Sequence, residues 1–215
     1  MKESTSKEQI LTKVRNALID KSENPYQDLD FNAEVLKVND PDESFEVTFA
    51  GELIAAGGHF VYCENENAFA EYLSELLNSR NWPSVWCINP RISQLLELSE
   101  IPHFDTEPDY DHTLVGITAA EKLISGTGSI LISEQLAGSR RIISLPDIHL
   151  VLAYSSQVTP TIKTALSETR KKYNDSLPSQ LTVVTGPSRT ADIEKTLVRG
   201  AHGPKELYVF MIDDL

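Results

Sequence analysis

The chain has 215 residues, 40% hydrophobic and 7% aromatic, a composition that closes a packed core in one large domain. Thirty-two acidic residues against 19 basic ones give a net charge of −13, a field that repels phosphate backbones and argues against nucleic acid as a partner. No run reaches the roughly 18–20 apolar residues of a membrane-spanning helix, and the first twenty residues lack the apolar centre of a signal peptide, so a cytoplasmic protein is expected.

In chain order, TSKEQILTKVRNAL (5–18) predicts a helix opened by a capping box between Thr5 and Glu8, with Ile10, Leu11, Val14 and Leu18 on one face. Residues 20–44, rich in Asp, Asn, Pro and Ser, read as a linker, which divides the chain into an N-terminal helical extension (1–44) and an α/β domain (45–215). Alternation predicts strands at FEVTFA (45–50) and HFVYCE (59–64), separated by AAGG. Phe69, Tyr72, Leu73, Leu76 and Leu77 then recur at helical spacing behind an Asn65 or Asn67 cap. SVWCIN reads as strand, PRISQLLELSE as helix, TLVGIT as strand, AAEKLIS as helix, and GSILIS and HLVLAY as strands. TPTIKTALSETRKKY is a helix with Thr159 as cap and Pro160 at its first position, and LTVVT and ELYVFMI are the closing strands. Helices alternating with strands that are apolar throughout indicate a mostly parallel sheet buried on both faces.

The sequence lacks the glycine-rich dinucleotide fingerprint, a phosphate-loop lysine and a nucleophile elbow. Its two cysteines, Cys63 and Cys87, sit in separate strands without metal-ligand spacing and read as buried thiols, so the chain is expected to hold no metal or cofactor of its own. Ligands of open α/β sheets sit beyond strand carboxyl ends, and three such ends carry chemistry. After TLVGIT, Glu121 is either a base or the folded-back acid of a capping box with Thr118. In SGTGSILIS, Gly126 and Gly128 permit close backbone approach, with Thr127 and Ser129 as donors to a carboxylate or phosphate; a plain turn uses the same glycines.

The third end is TGPSRT (185–190). Thr185, Gly186, Ser188, Arg189 and Thr190 stand between strand and turn, and Arg189 offers a donor fork for an anion or else pairs with Asp192 or Glu194. His202 and Gly203 belong to a second Gly-Pro turn, where the imidazole is a proton carrier or a structural group. His149 reads as a packing histidine, and Arg140 and Arg141 are secondary anion candidates.

Together, GITAAEKLISGTGSILIS, RRIISLPDIHLVLAY and above all TGPSRTADIE followed by HGP resemble the LUD domain, the family of lactate-utilisation protein C, over residues 45–213. The resemblance implies a fold akin to the NagB/RpiA/CoA-transferase group and a role in bacterial oxidation of L-lactate to pyruvate beside two iron–sulfur proteins. Family members often place an acid before the TGT-like turn where this chain has Gly126, and no catalytic residues are inherited. Three functions follow as alternatives. One is an accessory subunit binding a small carboxylate or phosphate. Another is a stand-alone isomerase or acyl/CoA transferase using Glu121 or Glu134 with Arg189. The third is a scaffolding module. A homo-oligomer is left open.

Overall fold

A computed structural model describes residues 5–19, 43–106, 114–174, 176–190, 198–199 and 203–215. Internal contacts divide the chain into two units, Met1–Val35 and Leu36–Leu215. The first contains α1 (Ser6–Ile19), opened by the predicted capping box: the Thr5 amide donates to Glu8 at 2.8 Å and the Glu8 amide to the Thr5 hydroxyl at 3.4 Å. The predicted linker, residues 20–44, lies outside the described residues except for Glu43 and Ser44.

The second unit opens with α2 (Phe45–Ala55), β1 (His59–Cys63), α3 (Glu66–Arg80), β2 (Val85–Cys87), α4 (Pro90–Leu98) and β3 (His103–Phe104). It continues with β4 (Val115–Ala119), β5 (Lys122–Ile124), β6 (Ser129–Ser133), α5 (Glu134–Ala137), β7 (Ile148–Tyr154) and β8 (Val158–Thr159). Last come α6 (Ile162–Lys172), β9 (Leu181–Val184), β10 (Arg189–Thr190), β11 (Val198–Arg199) and β12 (Glu206–Ile212). Six strands form one sheet in the order β1-β12-β7-β4-β2-β3, every pairing parallel. A second sheet runs β8-β5-β6-β9, antiparallel except for β5 with β8, and β10 pairs with β11.

The apolar runs of β7 and β12 follow from burial on both faces. Leu150, Ile117 and Phe210 pack against Phe69 and Leu73 of α3 and Ile92 and Leu96 of α4. Their alternating neighbours Val151, Val209 and Met211 pack on the other face against Phe49 and Leu53 of α2 and Leu123, Ile130 and Ile132 of the second sheet. Asn65 and Asn89 cap α3 and α4, with Pro90 opening the latter.

Three local assignments change. FEVTFA is the first part of α2, not a strand. Ser44 caps it, and Phe49 and Leu53, one turn apart, carry its burial, whereas Phe45 and Val47 of the apparent alternation are exposed. AAEKLIS is not a helix. The Thr118 hydroxyl is engaged by His149 Nε2 at 2.8 Å, the Glu121 amide donates to the Leu131 carbonyl, and Lys122–Ile124 pairs with β6. The last helix is capped by Thr161, which accepts from the Thr164 amide at 3.2 Å. Thr159, held extended before Pro160, belongs to β8.

Candidate functional site

Leaving β9, the chain places Thr185 opposite the start of β6, because Val184 is in register with Ile130. A hydroxyl chain results: Thr127 Oγ1 to Ser129 Oγ at 2.7 Å, and Ser129 Oγ to Thr185 Oγ1 at 2.7 Å. Ser129 is buried, Thr127 half-buried and Thr185 exposed, so the chain of hydroxyls leads from the interior to the surface. Three hydroxyls each able to donate or accept can adjust jointly to a polar ligand at the exposed end.

The glycines do bring backbone close, but the backbone that approaches is α2. A Cβ on Gly128 (φ +59°) would stand 2.2 Å from the Leu53 amide nitrogen, and one on Gly186 (φ +75°) 2.5 Å from the Ala56 carbonyl oxygen. The Arg189 guanidinium donates to that same Ala56 carbonyl, at the carboxyl end of α2, where a cation is favoured by the helix dipole. The two Gly-Pro turns meet. The Ser188 amide donates to the Pro204 carbonyl at 2.8 Å, and Gly203 lies beside the Ser188 side chain. Lys205 and Glu206 donate to the Asp147 carbonyl, which puts this junction at the amino ends of β7 and β12. The carboxyl end that Thr185 extends is that of β9, in the second sheet.

Thr127, Gly128, Ser129, Thr185, Gly186 and Arg189 are thus gathered along the carboxyl-terminal half of α2, with Ser188 and Gly203 adjoining. Thr190 pairs through its backbone with Val198. His202, Asp192 and Glu194 lie outside the described residues.

The candidate acids are elsewhere. The Glu121 side chain is fully buried and its oxygens accept from Ser133 Oγ at 2.5 Å, Tyr173 OH at 2.5 Å and Lys172 Nζ at 2.6 Å. Burial and this carboxylate push the Tyr173 phenol up to about 12. Glu134 accepts from the Ser179 hydroxyl and from Arg140 Nε at 2.7 Å, which holds its carboxyl below the usual range. Both acids attach to the Ser133 end of β6, four residues and so about 13 Å from Ser129. Glu121 therefore braces β4, β6 and the end of α6, with its oxygens saturated by donors.

His149 is fully buried, and burial pushes its imidazole down to about 4, so it is a neutral packing group. Cys63 and Cys87 are buried free thiols, and burial drives Cys63 up to about 11. A cleft of about 280 Å³ at the carboxyl edge of the main sheet was not anticipated. There Arg91 stacks 5.0 Å from the Tyr154 ring, with Glu66 at 3.7 Å. The available signal was the i, i+3, i+7 spacing of Arg91, Gln94 and Leu98 on α4. Among the described residues no helix is long and apolar enough to cross a membrane.

Comparison with known proteins places these segments. The LUD domain matches residues 105–212, half of the chain. Lactate utilization protein C of Bacillus licheniformis is 27% identical over 161 residues, 74% of this chain and 64% of that protein. The protein of the same name from Geobacillus kaustophilus is 29% identical over 173 residues, 75% of this chain and 66% of its own. That from Deinococcus radiodurans is 33% identical over 103 residues, 47% of this chain and 46% of its own. The matched stretches thus span between under half and about two thirds of these relatives. A crystal structure of a DUF162 family protein from Deinococcus radiodurans superposes with a TM-score of 0.57 at 16% identity, over 78% of this chain and 96% of that one, and shares the fold.

Proposed function

The chain belongs to the LUD domain family, and from that premise we propose that it serves in lactate utilisation as the component that binds a small carboxylate. The observation that carries the reading is the convergence of Arg189, Ser188 and the Thr127–Ser129–Thr185 hydroxyls beside the carboxyl end of α2. A guanidinium carries five donors in a fixed fork suited to a carboxylate, and the hydroxyls suit a neighbouring hydroxyl or keto oxygen. Gly186 lets its turn pack on Ala56 and Gly203 lets the second turn pack on Ser188, and Thr190 and His202 complete the proposed ligand set. Gly128 supports it by packing on α2.

Oxidation of a 2-hydroxy acid needs an electron acceptor. An iron–sulfur cluster takes four thiolates, and this sequence has two cysteines, so such clusters would belong to partner proteins. The relatives named for lactate utilisation support the pathway. The alternative of a stand-alone isomerase or acyl transferase is weakened by the placement of Glu121 and Glu134 at the far end of β6 from Arg189's neighbours.

Titration calorimetry with L-lactate, pyruvate and inorganic phosphate tests the binding claim. Saturable binding of at least one carboxylate is expected, weakened roughly tenfold or more in Arg189→Ala. Absence of binding by both carboxylates, or binding unchanged in the variant, would remove Arg189 as the anchor.

A further inference from the structure

The carboxyl ends of α3 and α4 open on one cleft of about 410 Å³, at the amino-terminal side of β2. Asn81 ends α3 in the left-handed conformation (φ 54°), and its amide folds back to the Asn78 and Leu77 carbonyls. Glu100 does the same after α4 (φ 55°), with its amide on the Glu97 carbonyl at 3.1 Å and the Ile101 amide on Leu96 at 2.9 Å. Each helix end presents roughly half a negative charge. Both adjoin a space lined by Glu100, Asn78 and Asn81.

The remaining walls are apolar except for Ser74. Leu77 and Ile101 are almost wholly buried at the floor, and the half-buried Trp82 ring stands at the side. No Lys, Arg or His lines the cleft. Arg80 stands beside it, 5.7 Å from the Trp82 ring centre and held by Glu206 at 3.2 Å and the Tyr208 hydroxyl at 2.9 Å, and the His103 ring lies 3.0 Å from the Ile101 carbonyl. An isolated carboxylate with an apolar floor is a poor donor set for a metal ion, which takes several oxygen or nitrogen ligands. Two helix ends, a carboxylate and amide oxygens instead match a charged nitrogen, and the apolar walls match the short hydrocarbon body that carries it.

We infer that this cleft binds a small organic ammonium ion, its nitrogen set between Glu100 and the two helix ends and its hydrocarbon part on Leu77, Ile101 and Trp82. The volume suits a small metabolite, near the lower part of the roughly 300–1,000 Å³ range of ligand sites. The net charge of −13 raises the local concentration of cations around it. This site is independent of the carboxylate reading above, whose residues lie on other elements.

Titration of the full chain with n-butylammonium chloride, followed by amide and indole NMR shifts, tests it. Saturable shifts are expected at Asn78, Asn81 and the Trp82 indole. Sodium butyrate and n-butanol at matched ionic strength are expected to leave those groups unmoved. Glu100→Gln, a surface change that keeps shape, is expected to weaken binding roughly fivefold and to leave carboxylate titrations unchanged. No saturable shift at these groups, an equal response to butyrate, or full affinity in Glu100→Gln would overturn the assignment.

Discussion

The Arg189 guanidinium donates to the Ala56 carbonyl across 133 positions of sequence, tying the TGPSRT segment to the end of α2. Arg189→Ala is therefore expected to loosen that turn without unfolding the domain. Hydrogen exchange at the amides of Ala56, Gly57 and Gly58, which fold back onto Glu52, Ile54 and Leu53, should quicken severalfold while β7 and β12 keep their protection. Unchanged exchange at these amides would show that the contact does not hold α2.

Glu121 is the carboxylate whose loss should cost most. Removing it leaves Ser133, Tyr173 and Lys172 donors unpaired around a buried space. Glu121→Ala is expected to lower unfolding free energy by about 3–5 kcal/mol in urea titrations. Glu134 is half-buried and paired with Ser179 and Arg140, and Glu134→Ala should cost less.

Acid should destabilise the fold through His149. The unfolded imidazole takes a proton near pH 6.5, whereas the buried one resists it until about pH 4. The unfolded chain binds more protons in that window. Stability from this group is thus fully present above pH 6.5 and is lost as the pH falls toward 4, by about 3 kcal/mol. His149→Leu should flatten this part of the stability profile; an unaltered slope would mean other groups produce it.

Two glycines on and against α2 should respond in opposite directions. Gly128→Ala forces a methyl into the α2 backbone at a positive φ and is expected to lose about 2–4 kcal/mol. Gly51→Ala lies within α2 with nothing inside 4 Å of the new methyl and should gain about 0.5–1 kcal/mol. Thermal melts of the two variants separate these outcomes.

Much of this fold was legible because its elements carry unambiguous periods. The Phe69–Leu77 spacing and the Asn65 cap define α3, and the unbroken apolar runs of β7 and β12 announce a sheet covered on both faces. Two of the three changed assignments share one cause. In FEVTFA and AAEKLIS a window of six or seven residues fits both periods, and tertiary contacts decide: burial of Phe49 with Leu53 in one, pairing of Lys122–Ile124 with β6 in the other. The residues of the candidate site were legible as a set, since turns rich in Gly, Ser, Thr and Arg announce themselves. What they touch was not. That α2 fills the approach left by Gly128 and Gly186 depends on contacts across some 75 to 130 positions of sequence, which no local pattern encodes.

The lactate role is tested most directly by growth on L-lactate as sole carbon source of a strain lacking this protein. The deletion strain is expected not to grow, the wild-type chain to restore growth, and Arg189→Ala, expressed to the same level, to restore it poorly. Unimpaired growth of the deletion strain would exclude a role for this protein in lactate utilisation.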